Sequence, residues 1–330
     1  MPSFHEKQWQ FLVKSLALGK VSHAYLFSGQ HELGKKELAL EFAKLVNCSD
    51  NNLEKRPCKE CPSCRETRKG CHPDFLLLEI KEAEEQKQIN MIRDLALWLS
   101  LRPALGAYKV VIIDQLQNFS FEAQSALLKI LEEPSGEAII LIISDQSELL
   151  LSTIVSRAQE IKFFPWSAAK IVSLLVSKGA NLAEAQEISY FAFGRSRRAI
   201  NLLTEKSTAL ENQKKCYRDF SVRFGQGIAG WFKGVEIATA TKDAGENGEA
   251  PLQLLENWLN FLRIAFLQRI GAQGVAPLDK ISQQLLSKTN SVSLTKMKNF
   301  LMALERTNYL LLRTSVNPRL ALENAILELF

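Results

Sequence analysis

The stretch Phe27-Ser28-Gly29-Gln30-His31-Glu32-Leu33-Gly34-Lys35-Lys36 matches a phosphate-binding loop, G-x-x-x-x-G-K-[ST], at every position but the last. In that pattern the glycines let backbone N–H groups wrap a polyphosphate. The lysine reaches its outer phosphates, and the final hydroxyl holds Mg²⁺. Gly29, Gly34 and Lys35 are in place, but Lys36 stands where the hydroxyl belongs. A second cation there opposes a metal, since two unit charges about 4 Å apart repel by roughly 4 kcal/mol at an effective dielectric near 20. A matching defect lies at Val110-Val111-Ile112-Ile113-Asp114-Gln115. Apolar strand residues ending in Asp can deliver a Mg²⁺-coordinating carboxylate, and an ATPase follows it with a Glu that orients water. Gln115 can position a water but cannot accept its proton. Hydrolysis is therefore not expected; Lys35 and the loop amides still favour an anion. The alternative is a glycine turn that only joins a strand to a helix.

A second chemistry resides in the cysteines. Of six, Cys48, Cys58, Cys61, Cys64 and Cys71 fall within one short segment. In a reducing compartment such clustering favours metal over disulfides. Three thiolates spaced by two residues, in Cys58-Lys59-Glu60-Cys61-Pro62-Ser63-Cys64, can converge on a tetrahedral ion if the backbone turns tightly, which Pro57 and Pro62 encourage. A fourth ligand would complete a closed structural Zn²⁺ site. Cys48 is the first choice for it, with Cys71 and His72 as further candidates. A zinc-borne nucleic-acid reader is one use of such a module and a surface clip the other.

Two arginine-bearing stretches complete the set. Ser152-Thr153-Ile154-Val155-Ser156-Arg157-Ala158-Gln159 places Arg157 far in sequence from the glycine loop, where it could project outward. Gly194-Arg195-Ser196-Arg197-Arg198-Ala199-Ile200 puts three arginines at a helix start, where the helix dipole disfavours them and a counter-anion is wanted.

These residues need a scaffold, and the apolar periodicity supplies one. Helices are expected over residues 8–18, 35–46, 89–101 and 121–131, the last closed by Glu132-Glu133-Pro134. Strands are expected over 24–28, 74–79, 108–113, 138–143 and 160–164. Five apolar runs alternating with helices predict a parallel sheet covered on both faces, with ligands at the carboxyl ends of the strands. Gly29 and Asp114 both fall there. From Pro165 the strand signals stop. Residues 167–179, 182–193 and 196–205 predict three short helices. Beyond about 206 the chain stays helical, with segments at 251–271, 277–288, 293–315 and from about Arg319, and an exposed polar loop over 243–248. The expected division is 1–165, 166–205 and 206–330, with the cysteine module at about 48–73 inserted in the first domain.

Composition agrees with an ordinary globular chain: 330 residues, 46% hydrophobic and 23% charged. That length suffices for two or three domains with real cores. The net charge of +5 permits contact with nucleic acid without arguing for it. No run of about eighteen apolar residues occurs, and the N-terminus lacks the order of a signal peptide, so no membrane segment and a cytoplasmic location are expected.

Five stretches occur in a telling order: His23-Ala24-Tyr25-Leu26-Phe27-Ser28-Gly29, the cysteine insertion, Cys71-His72-Pro73-Asp74, Gln124-Ser125-Ala126-Leu127-Leu128-Lys129-Ile130-Leu131-Glu132-Glu133-Pro134, and Ser156-Arg157. Over residues 1 to about 205 they resemble the AAA+ clamp-loader subunits of bacterial DNA polymerase III. The altered loop, Gln115 and the retained Arg157 most resemble the delta-prime branch. The resemblance implies an AAA+ α/β domain with a zinc module of Cys48, Cys58, Cys61 and Cys64, a small helical lid and a C-terminal helical collar. It implies that Arg157 reaches a neighbouring subunit's ATP as an arginine finger, with Ala158 in place of the family's cysteine. It also implies that Ser144 is the polar sensor closing the fourth strand, and that Arg197 or Arg198 is the sensor arginine. The implied partners are the ATPase and delta subunits of the loader, the sliding clamp indirectly, and primed DNA through the complex. The implied role is a non-hydrolysing stator in replication, a component of a DNA-directed DNA polymerase that is itself neither polymerase nor active ATPase. The alternatives are an ATP-hydrolysing gamma/tau-like subunit and a zinc-dependent nucleic-acid-binding protein.

Overall fold

A computed structural model of the chain describes residues 5–80, 84–134, 136–204, 208–223, 226–240, 249–271, 289–290, 292–314 and 316–330. The loop expected over 243–248 and the helix expected over 277–288 lie outside these residues. Two compact units are present, Met1–Pro165 with Arg195–Arg198, and Trp166–Gly194 with Ala199–Phe330.

The first unit alternates strand and helix as the periodicity predicts. It runs α1 (Glu6–Ala17), β1 (Ala24–Ser28), α2 (Lys35–Val46), α3 (Pro62–Lys69), β2 (Phe75–Leu78), α4 (Glu85–Ser100), β3 (Lys109–Ile113), α5 (Phe121–Glu132), β4 (Ala138–Ser144), the single turn α6 (Ser152–Val155) and β5 (Gln159–Lys162). All neighbouring strands are parallel, in the order β2-β3-β4-β1-β5. The central strands β1, β3 and β4 are buried along their whole length, whereas the edge strand β5 is largely exposed. This is why the central strands read as continuous apolar runs rather than as alternating ones.

Alternate residues of each strand feed opposite layers. Ala24 and Leu26 of β1 pack with Ile92, Leu95 and Leu99 of α4 and Leu127 of α5. Tyr25 and Phe27 pack with Trp9 and Leu12 of α1 and Leu38 and Phe42 of α2. Local signals set the ends of the helices. Ser120 caps α5, its hydroxyl accepting from the Ala123 N–H at 3.2 Å. Pro134, two residues beyond Glu132, cannot continue that helix. The helix α3 inside the cysteine segment was not expected from periodicity. Pro62 at its first turn, Cys61 as its N-cap and Gly70 in the left-handed C-terminal position define it instead.

A buried carboxylate ties the loop before β3 to the start of β2. Asp74, fully buried, accepts from the N–H groups of Ala104 at 2.7 Å, Leu105 at 2.6 Å and Gly106 at 2.8 Å. Lys109 lies 3.5 Å from the same carboxylate and stacks over the Trp98 ring at 4.1 Å. Burial raises the carboxyl pKa, but the three N–H donors and Lys109 outweigh it and hold it below the ordinary Asp value.

The second unit is all-helical: α7 (Ala168–Ser177), α8 (Leu182–Ala192), α9 (Ser196–Thr204, whose first residues fall in the first unit), α10 (Thr208–Arg223), α11 (Ile228–Ala240), α12 (Glu249–Arg269), α13 (Leu294–Arg313) and α14 (Pro318–Leu327). The break expected near residue 206 does not divide its core. Ile188 and Phe191 of α8 share one hydrophobic cluster with Tyr217, Phe220, Trp231, Trp258, Phe261 and Phe300. The Tyr190 hydroxyl donates to that of Tyr217 at 3.1 Å, and the Phe193 and Phe261 rings meet edge to face at 5.6 Å. The helical segments on both sides of residue 206 thus contribute to one hydrophobic cluster within the second unit.

Removing the Asp74 carboxylate strands three backbone donors and a buried ammonium. We predict that Asp74→Ala destabilises the first unit by roughly 3–5 kcal/mol, read as a lower urea midpoint of its unfolding. Because the folded pKa is depressed, this stabilisation is complete above about pH 4, the unfolded Asp value, and is lost as pH falls through the folded value. Asp74→Ala should therefore narrow the gap between neutral and acid stability.

Candidate functional site

A parallel sheet brings all its strand ends to one edge, and the chemistry of the first unit collects there. Gly29 follows β1, Glu79 follows β2, Asp114 follows β3, and Ser144 and Asp145 close β4. Ser28 and Ser144 stand opposite each other in register.

The glycine loop has the backbone of its motif. Gly29 has φ +142°, and a Cβ there would collide with the Phe163 carbonyl; Gly34, the N-cap of α2, has φ +89°. Both positions need glycine. Lys35 was expected to offer its charge to an anion, but its Nζ donates to the carbonyls of Gly29 and of Gln30, the latter at 2.6 Å, and to Asp145 Oδ1 at 2.7 Å. Only 3% of this side chain is exposed. Burial lowers the Lys35 pKa, and the Asp145 carboxylate counters only part of that. Asp145 is held below the ordinary carboxylate range; burial would raise it, but His31 at 2.8 Å and Lys35 prevail.

Lys36 occupies the neighbourhood in which a metal would be held. Its Nζ bonds to Glu79 Oε1 and lies 3.0 Å from Asp114 Oδ2. Although burial opposes the charged form, the bonds to Glu79 and Asp114 raise its pKa above that of an ordinary amine. The cation that sequence reasoning placed near Asp114 is thus in direct contact with it, as one half of a lysine–dicarboxylate cluster. Gln115 adopts a left-handed backbone, φ +53°, and its side-chain oxygen accepts from Asn118 Nδ2 at 2.8 Å.

The sensor candidates separate. The Ser144 hydroxyl, fully buried, accepts from the Gln146 N–H at 3.2 Å. Arg197 Nη1 lies 3.3 Å from Glu37 Oε1, and its N–H donates to the Glu32 carbonyl at 3.0 Å. Arg198 is buried. Arg195, which was not among the two expected sensors, is close enough to Lys35 to lower its pKa electrostatically. The Ser196 hydroxyl donates to the Leu33 carbonyl at 2.9 Å and fastens this stretch to the loop. Arg157, just beyond α6, lies away from this cluster in sequence; its side chain is 36% exposed, with Nη2 2.8 Å from Glu132 Oε1 and Nη1 donating to the Thr153 carbonyl at 3.1 Å.

The four cysteines converge. The sulfurs of Cys48, Cys58, Cys61 and Cys64 all lie within 4.8 Å of one another and could hold a metal ion. Backbone N–H groups point at the sulfurs, Cys58 to Cys48 at 3.4 Å, Cys61 to Cys58 at 3.3 Å and Cys64 to Cys61 at 3.4 Å. The thiols compete for protons. Burial raises Cys61, but hydrogen bonds from Ser49 and Cys64 bring it down to about 6. Burial and the nearby Cys61 and Cys48 push Cys64 up to about 12. A cation replacing the protons would relieve that conflict. The other two candidates for the fourth ligand lie outside the cluster. Cys71 is exposed and faces the Lys69 carbonyl. His72 spends both ring nitrogens, Nε2 on Ser63 Oγ at 2.8 Å and Nδ1 on the Asp74 N–H at 3.0 Å.

Sequence reasoning missed Asp145, gave no site role to Glu79 and Glu132, and named Arg195 only as one of three arginines wanting a counter-anion. The available signal was positional, since Glu79 and Asp145 each directly follow a strand whose end lies on the same edge as Gly29 and Asp114.

Comparison with known proteins agrees with this geometry. The family model described as "DNA polymerase III, delta subunit" matches residues 4–167. DNA polymerase III subunit delta' of Pseudomonas aeruginosa is 30% identical over 328 residues, 97% of this chain and 96% of that one. The chain belongs to the delta' family of DNA polymerase III clamp-loader subunits. Its counterpart from Bacillus subtilis is 31% identical over 207 residues, 57% of this chain and 60% of that one. The tau subunit of Bacillus subtilis is 27% identical over 335 residues, 96% of this chain but 59% of tau. The sheet with its glycine loop is a five-stranded parallel α/β fold. Among the described residues no helix is long and apolar enough to cross a membrane.

The ion cluster at Lys36 can be tested without a partner. In Lys36→Ser, Glu79 and Asp114 lose their shared cation. We predict a loss of about 1 kcal/mol at pH 7, a small value because Lys36 and Glu79 are a third exposed. Millimolar Mn²⁺ should restore much of that loss in the variant and leave the parent's thermal midpoint unchanged.

Proposed function

We propose that this chain is a non-hydrolysing member of a clamp loader that lends Arg157 to the ATP site of a neighbouring ATPase subunit. In the assembly it would sit beside gamma- or tau-type ATPase subunits and a delta subunit. With them it would act on the sliding clamp and on primed DNA, in the cytoplasm. The observation that carries this reading is the placement of Lys36 against Asp114. A chain whose own metal position is filled by an ammonium has little use for a catalytic arginine of its own, yet it keeps Arg157 at its surface. The same ion pair, with Gln115 in place of the glutamate, weighs against the ATP-hydrolysing alternative. An arginine supplied in trans stabilises the charge that develops on the transferred phosphoryl group. Ser144, Asp114 and the Arg195–Arg198 stretch then serve chiefly to maintain the loop, and nucleotide binding by this chain is not part of the role.

The thiol cluster is assigned to structural Zn²⁺. Four thiolates without an open position make a structural rather than a catalytic site. Zn–S bonds of about 2.3 Å in a tetrahedron require S···S edges of about 3.8 Å, and the Cys48 and Cys61 sulfurs are already 4.0 Å apart. The ion would clip the inserted segment to the end of α2.

Two measurements test these assignments. Protein purified without chelator should contain about one Zn²⁺ per chain and lose it on Cys58→Ser; a ratio near zero in the parent would refute the site. In the reconstituted assembly, Arg157→Ala should lower DNA-stimulated ATP turnover strongly, since removing such an arginine costs on the order of 10³-fold or more at the site it serves. An unchanged turnover would overturn the stator reading.

A further inference from the structure

The geometry points to Glu132 as the positioning residue of Arg157, an inference that rests on the trans-acting role proposed above. Glu132 is the last residue of α5, and its Oε1 lies 2.8 Å from Arg157 Nη2. Helix electrostatics give no reason for a carboxylate at that position. The C-terminus carries the negative end of the dipole and favours a cation, yet Glu132 and Glu133 both stand there. An arginine alongside offsets that repulsion.

The second contact comes from α6. Arg157 Nη1 donates to the Thr153 carbonyl at 3.1 Å. The guanidinium is thus held between the end of one helix and the turn that precedes it, by two contacts from different terminal nitrogens. A guanidinium has five N–H donors, so a fork held in this way still has donors for an anion. Its side chain stays 36% exposed.

Holding matters because an arginine side chain has many rotamers, and each must be given up when it meets a transition state. A partner that restricts the fork beforehand lowers the entropic cost at the moment of reaction. Glu132 therefore contributes to turnover at the neighbour's site without touching the nucleotide. Its effect runs through Arg157 and through kcat, and leaves the neighbour's KM for ATP unchanged.

The test is a double-mutant cycle in the fully reconstituted assembly, with Glu132→Ala, Arg157→Ala and the pair, reading kcat and KM for DNA-stimulated ATP hydrolysis. We expect Glu132→Ala to lower kcat about two- to fivefold, the range of an exposed ion pair, with KM unchanged. Added to Arg157→Ala it should have no further effect. Glu132→Gln, which keeps an acceptor of the same shape, should lose less than Glu132→Ala. It also serves as the working variant if the alanine form fails to assemble. A normal kcat in Glu132→Ala beside a lowered kcat in Arg157→Ala would overturn this inference while the stator reading stands. An equal loss in the presence and absence of Arg157 would show that Glu132 acts by another route, and a raised kcat would show that it restrains the arginine rather than presents it. Either result overturns the inference. A normal kcat in Arg157→Ala would instead remove the stator reading on which it rests.

Discussion

The ammonium of Lys36 between Glu79 and Asp114 is the contact on which the rest of the site depends. Parallel strands all end on the same side, so the residues that follow β2, β3 and β4 are brought together whether or not their charges suit one another. Three carboxylates, Glu79, Asp114 and Asp145, come to that edge beside the glycine loop. In a loop built for Mg²⁺ and polyphosphate such charges are balanced by ligand. In this chain they are met by cations of the chain itself, Lys36 at Glu79 and Asp114, and Lys35 with His31 at Asp145.

The two lysines achieve this in different environments. Lys35 is almost wholly buried, and its lost hydration is offset in part by two carbonyls and one carboxylate. Its depressed pKa marks an ammonium that gives up much of its hydration to hold the loop's own backbone. Lys36 is about a third exposed, and its raised pKa marks a cation whose partners outweigh its desolvation. The first donates to the loop's own backbone and the second bridges Glu79 and Asp114. Together they tie the glycine loop to the carboxylates that follow β2, β3 and β4.

Away from this cluster, the surface-facing arginine and the cysteine clip use the same scaffold for other ends. Arg157 follows the one-turn helix that leads into the exposed edge strand β5, so it is carried at the periphery of the sheet. The cysteines close an insertion whose two ends are α2 and β2, and Asp74 then fastens the start of β2 to the loop before β3. A module stitched at both ends can be inserted without disturbing the sheet.

The sequence alone determined what local chemistry dictates. Each of the five strands and the helices α1, α2, α4 and α5 was legible to within a few residues, because a buried parallel strand must be apolar and an amphipathic helix must repeat every three to four residues, whereas the short α3 and α6 carry no such repeat. The glycine loop, the Lys36 substitution and the four converging cysteines were legible because their meaning lies in residue type and spacing. Tertiary structure decided what depends on residues distant in the chain. Lys35 proved to be bound to Asp145, 110 positions away, and Lys36 to Glu79, 43 positions away. Arg195, 160 positions from Lys35, proved close enough to lower its pKa. The two helical segments after residue 165 proved to share one aromatic core. Which partner neutralises a buried charge, and which face covers an aromatic ring, follow from the path of the whole chain; no window of neighbouring residues carries that information.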